Sequence, residues 1–165
     1  MHRITGKQQF IGLVGWLVVT GIAAFAGSVA SRRSEDFYGQ LVQPSWAPPP
    51  EVFGPVWTVL YILMALAVWL VWRHGGFAHA RTALSLYLVQ LVVNALWSWL
   101  FFAWQMGAAA LLDIALMWML VVATVVAFWR HNRLAALLLV PYLAWISFAA
   151  MLNLRLWQMN PSVLG

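Results

Sequence analysis

The chain has 165 residues, 64% of them hydrophobic and only 8% charged, whereas soluble domains carry roughly a quarter charged residues, so the composition argues against a water-soluble fold. Net charge is +5, from nine Lys/Arg against four Asp/Glu, but the basic residues are scattered between long apolar runs and form no patch suited to nucleic acid. The chain has no cysteine, which excludes disulfides, thiolate metal sites and cysteine nucleophiles.

A helix crossing the hydrocarbon core needs about 20 mainly apolar residues at ~1.5 Å rise each. The first charge-free run is 10–30. Arg3 and Lys7 before it and Ala24-Phe25-Ala26 within it resemble a cleavable signal peptide, but the run is as long as a full span and is read as a retained helix. The linker 31–51 follows. It ends in Pro44-Ser45-Trp46-Ala47-Pro48-Pro49-Pro50, which cannot be helix interior and reads as an ordered, extended lid. The second span is 52–72, with Pro55 in its first turn, where proline is tolerated. After the linker 73–81, residues 82–129 carry one charge, Asp113, and supply two crossings, 82–104 and 107–129, around a hairpin at Gln105-Met106-Gly107. The linker 130–133 leads to the last span, 134–154, which Pro141 should kink. No internal repeat is visible. The expectation is an all-α integral membrane bundle of five transmembrane helices, one domain over 1–165.

An odd number of spans puts the termini on opposite faces. Arg3, Lys7, Arg73, Arg81, Arg130 and Arg133 fall on one face, and Arg32, Arg33 and Arg155 on the other. The positive-inside rule then predicts a cytoplasmic N-terminus, an external C-terminus and an external first linker. Small residues at Ala23/Gly27 and Ala123/Ala127 have the four-residue spacing that allows close helix approach, in the bundle core or in a dimer.

Twelve tryptophans exceed what five spans need for anchoring. Trp69, Trp72, Trp104, Trp129 and Trp157 lie near span ends and suit an aromatic belt, while Trp97, Trp118 and Trp145 sit deeper. In the third span Tyr87, Gln90, Asn94, Trp97 and Ser98 recur at three- and four-residue steps and share one face. Its amides suit interhelical hydrogen bonding, ligand contact, or both together. Asn94 and Trp145 lie about nine residues, ~13 Å, from the first-linker ends of their spans, and Trp57 about five, ~8 Å, so they converge on that half of the bundle. Asp113 enters at comparable depth and should face the interior with a partner, unless it serves as a helix N-terminal acid. His2, His74, His79 and His131 all lie on the opposite side, which argues against axial haem ligation. No phosphate-binding glycine loop or Ser/His/Asp set supports a hydrolase or ATPase.

The string Phe37-Tyr38 through Gln43-Pro44-Ser45-Trp46-Ala47-Pro48-Pro49, followed by Val52-Phe53-Gly54-Pro55-Val56-Trp57-Thr58-Val59-Leu60-Tyr61, is similar to the most recognisable segment of the TspO/MBR family (tryptophan-rich sensory protein, translocator protein). Gln90-Leu91, Asn94, Trp97, Asp113, Pro141-Tyr142, Trp145 and Leu152-Asn153 follow in the family's order and spacing. The resemblance implies a five-helix bundle, usually homodimeric and here expected in a bacterial cell membrane. It implies binding of porphyrins, haem and related tetrapyrroles as ligands rather than required cofactors, with no metal site. Tyr38, Trp46, Trp57, Asn94, Trp97, Trp145, Ser147 and Ala149 would line the pocket beneath the first linker. Gln43 replaces a lysine found in many members, and Leu154 and Gln158 stand where a sterol-associated pattern expects a tyrosine and a basic residue, which argues against sterol binding. Arg32 and Arg33 are candidates to meet ligand carboxylates. Three functions use such a pocket: tetrapyrrole sensing or transport; light-dependent porphyrin breakdown with Trp57 and Trp145 as redox participants; and a scaffold for another membrane protein.

Overall fold

The structure, a computed structural model, describes residues 5–165; the predicted contributions of His2 and Arg3 lie outside the described residues. Every regular element among the described residues is helical, and five segments are long and apolar enough to span a bilayer. Backbone N–H and C=O groups have no water to bond in hydrocarbon, so a chain this apolar closes its hydrogen bonds within helices.

Helix α1 (Gly6–Ala30) starts at Thr5, whose side chain caps the Gln8 amide while Gln8 caps back. A short helix α2 (Ser34–Gln40) lies in the first linker. A 3₁₀ turn, Pro50–Val52, leads into α3 (Phe53–Trp72). Gly75 and Gly76, both at positive φ (154° and 63°), turn the chain into α4 (Gly76–Ser98). This helix begins six residues before the predicted span, and Ala80 departs from helical geometry (φ −133°, ψ 38°) close to where the regular membrane helix was expected to start.

Five π-helical residues, Trp99–Ala103, extend α4. Gln105 then takes φ 55° to reverse the chain into α5 (Gly107–His131), so the hairpin sits where the sequence placed it. Gly107 has no room for a side chain, because a Cβ there would lie 2.9 Å from the Leu164 carbonyl oxygen and 2.9 Å from Trp157. The last span is split into α6 (Arg133–Leu138) and α7 (Val140–Met159) at Leu139. Pro141 lacks the N–H that would bond back to Leu137, and the break realises the expected kink. Helix α7 runs five residues past the predicted end. Arg155 is exposed there, and its head reaches out while the backbone stays helical. A terminal turn, α8 (Pro161–Leu164), closes the chain.

The packing forms a closed ring. Helix α1 contacts α3 and α4, α4 contacts α5, α5 contacts α6 and α7, and α6 with a few residues of α7 returns to α3. Contacts between α3 and α7 are sparse, so the two diverge toward the first-linker end. Ala23 packs against the core, and Gly27 is buried with Ser98 Oγ 3.2 Å from where its Cβ would be. That pair therefore serves the bundle interior.

The C-terminal turn holds the first linker down. Asn160 Oδ1 accepts from the Val42 amide at 2.8 Å, and its Nδ2 donates to the Val42 carbonyl at 2.9 Å and to Leu156 at 2.8 Å. Replacing Asn160 by Ala removes both linker bonds. The expected loss is about 1–2 kcal/mol, read as a lower thermal midpoint in detergent together with faster proteolysis in the first linker.

Candidate functional site

Where α3 and α7 diverge, the bundle encloses a cavity of about 600 Å³ at the first-linker end. Its walls come from α1, α3, α4 with its π-helical extension, and α7, and α2 lies across its end. Five of the eight predicted pocket residues line it: Tyr38, Trp57, Trp97, Trp145 and Ala149. Trp57 and Trp145 project from neighbouring helices. Trp57 stacks obliquely on Tyr61 (centroids 5.6 Å), and Trp145 meets Phe53 edge-on at 5.9 Å and Phe148 at 5.4 Å. The Trp145 indole N–H is buried without an acceptor among the described residues. Trp97 is fixed more firmly, since its Nε1 donates to Asn153 Oδ1 at 3.1 Å while Asn153 Nδ2 donates to the Gly107 carbonyl at 3.0 Å.

The lid is tied to itself. Tyr38 Oη donates to the Pro48 carbonyl at 3.1 Å, and Gln43 Nε2 donates to the Tyr38 carbonyl at 2.6 Å. Burial pushes the Tyr38 phenol up from its ordinary value, so it stays a donor at neutral pH. Gln43, the departure from the family's lysine, thus has a structural role in the lid.

Beneath the cavity lies a buried polar network. Tyr61 Oη donates to Asn94 Oδ1 at 2.5 Å, Asn94 Nδ2 donates to Tyr142 Oη at 2.9 Å, and Tyr142 Oη donates to Gln90 Oε1 at 2.9 Å. These bonds join α3, α4 and α7. Asn94 therefore stands one hydrogen bond behind the wall residue Tyr61 and does not line the cavity. The remaining two predicted residues lie elsewhere. Trp46 is half-exposed on the lid and meets Phe148 at 5.8 Å, and Ser147 accepts from Trp118 Nε1 at 2.9 Å and donates to the Leu143 carbonyl at 2.8 Å.

Asp113 faces the interior as expected and is buried, but its Oδ2 has no hydrogen-bond partner among the described residues. It is the seventh residue of α5, beyond the first turn where the helix dipole acts, so the N-terminal-acid explanation fails. Arg32 and Arg33 line a separate hollow of about 460 Å³ with Asp36, Gln40 and Gln105. The charged side chain on the main cavity is Glu35, among the hydroxyls of Ser28, Ser31 and Ser34. His79 and His131 pair at 5.2 Å on the opposite, exposed end, remote from the cavity.

Sequence reasoning missed the α1 wall: Leu17, Thr20, Gly21, Ala24, Phe25 and Gly27. Its signal was the run of small residues, read only as close packing. Tyr61 stood inside the quoted motif without a role, and Glu35 lay in the first linker without one.

The TspO/MBR family profile matches residues 14–158. The chain belongs to the TspO/MBR family. It is 43% identical over 157 residues to a tryptophan-rich protein TspO of Chlorobaculum tepidum, covering 94% of this chain and 99% of that one. It is 38% identical to the human translocator protein over 154 residues (92% and 91% of the two chains) and 37% identical to a tryptophan-rich sensory protein of Cereibacter sphaeroides over 145 residues (88% and 89%).

The network makes a separate prediction. Asn94→Leu leaves the Tyr61 and Tyr142 hydroxyls without their shared partner, and the expected destabilisation is about 1–2 kcal/mol. Thermal unfolding in detergent, followed by tryptophan fluorescence, should show a lower midpoint for Asn94→Leu and a comparable drop for Tyr142→Phe, which leaves Asn94 Nδ2 and Gln90 Oε1 without their partner.

Proposed function

We propose that the cavity binds a porphyrin-type tetrapyrrole and that the protein acts in tetrapyrrole sensing or transport. The carrying observation is that Trp57, Trp97, Trp145 and Tyr38 line one cavity, whose volume of about 600 Å³ falls in the usual range for small-molecule sites. A flat apolar macrocycle gains from stacking on such faces, and the hydroxyls of Ser28, Ser31 and Ser34 give its polar edge hydrogen-bond partners. The relatives' names, sensory protein and translocator protein, agree with either role. The same reading takes the charge bias as orientation, with the N-terminus cytoplasmic in a bacterial cell membrane and the C-terminus outside, and takes the working unit as a homodimer.

Because Trp57 and Trp145 share the cavity wall, a second reading makes them redox participants in light-dependent porphyrin breakdown. Titrating protoporphyrin against tryptophan fluorescence in detergent, corrected for inner-filter absorption, separates the readings. Saturable quenching in the dark, weakened about tenfold or more in Trp57→Ala/Trp145→Ala, is the expected result. Loss of the porphyrin spectrum on illumination in wild type, absent in Trp57→Phe/Trp145→Phe, would favour the enzyme. Absence of saturable quenching would overturn both.

Glu35 adds a charge test. Its carboxylate and those of a porphyrin repel one another, and added salt screens that repulsion. Glu35→Gln should therefore raise affinity for protoporphyrin by about two- to fivefold at low salt, and by less as salt is raised. Titrations at two salt concentrations check this.

A further inference from the structure

The cavity is sealed unevenly. Toward the first linker it is covered by α2 and by a lid whose bonds run from Tyr38 to Pro48, from Gln43 to Tyr38 and from Asn160 to Val42. Toward the side it is open between α1 and α3. Besides Ser28, six of its lining residues on these helices are exposed: Leu17, Gly21 and Phe25 on α1 and Gly54, Thr58 and Ile62 on α3. Each triplet has four-residue spacing, so each forms one stripe along its helix. The α1 stripe runs over eight residue steps, from Leu17 to Phe25, ~12 Å of helix. Gly21 and Gly54 leave the slit between the stripes unfilled, since a Cβ at either would meet nothing within 4 Å.

Both stripes lie on membrane-spanning helices, so the slit opens into the bilayer and not into water. Its rim is apolar apart from Thr58 and Ser28, whose hydroxyls bond back to the Gly54 carbonyl at 2.9 Å and the Phe25 carbonyl at 2.8 Å and so present no unpaired donor to hydrocarbon. We infer that the slit between α1 and α3 is a lateral portal, through which the cavity takes membrane-dissolved amphiphiles directly from the bilayer, apolar body first. The ligand's polar edge then rests near Ser31 and Glu35. The inference rests on the reading of the cavity as a small-molecule site but not on the identity of its ligand. Without a ligand, the portal admits phospholipid acyl chains.

The test places the full-length protein in liposomes whose phospholipid is brominated in mid-acyl chain. The fluorescence contributed by Trp57 and Trp145 is taken as the difference between wild type and Trp57→Phe/Trp145→Phe. Bromine should quench this component, and either Gly21→Phe or Gly54→Phe, which plug the slit from opposite helices, should cut that quenching at least threefold. Two plugs guard against one failing to fold. Quenching that is absent in wild type, as it would be if a second copy covered the slit, overturns the portal. Quenching equal in wild type and both plugs overturns it as well. Protoporphyrin preloaded in the bilayer forms a separate arm. If acyl chains reach the two indoles but porphyrin never quenches saturably, the portal stands and the tetrapyrrole reading falls.

Discussion

The three hydrogen bonds that run from Tyr61 through Asn94 and Tyr142 to Gln90 are the constraint on which the rest of the bundle depends. Apolar side chains gain little from leaving lipid for a protein interior, so association of these helices must come from packing and from polar groups that find one another. The network ties α3, α4 and α7 at one depth. Below it Val68, Val71, Leu84, Val121 and Phe128 pack without exposure; above it α3 and α7 separate and leave space. The cavity is thus the part of the bundle that lies beyond the polar tie.

The membrane constraint explains why five spans were legible: a hydrocarbon core of fixed thickness imposes a run length that composition alone reveals. It also explains the errors at the ends. Counting charge-free residues stops before Arg155, whereas α7 runs to Met159, because a long basic side chain reaches the interface without ending the backbone ladder; at the start of α4 the added residues 76–79 precede a break in helical geometry at Ala80. Proline and glycine were read more safely, since Pro141 breaks the last span by the loss of a single donor and Gly75-Gly76 turns the chain by positive φ.

The cavity was legible only where it is made of large side chains. Tyr38, Trp57, Trp97 and Trp145 carry both the family pattern and the aromatic surface. Asn94, at the right depth, belongs to the hydrogen-bond network behind the wall and does not itself line the cavity. The α1 wall was opaque for a different reason. Gly21, Ala24 and Gly27 contribute to the site by what they lack, and a small residue in a membrane helix reads the same whether a neighbouring helix or empty space lies against it. Gly27 does meet Ser98, while Gly21 meets nothing; this difference exists only in three dimensions.

Polar placement follows the same division. Around the cavity, hydroxyls and Glu35 collect at the first-linker end, and the floor at Ala65 and Thr20 offers one hydroxyl, already bonded to Tyr87 at 2.7 Å. A molecule held there is graded from apolar to polar along the membrane normal, as the bilayer is. An amphiphile can therefore pass sideways from lipid into the cavity without inverting, keeping its polar edge at headgroup level throughout. A lid bonded shut at the aqueous end and a slit left open toward lipid fit together on that account, since exchange through the side spares the polar edge any passage through hydrocarbon.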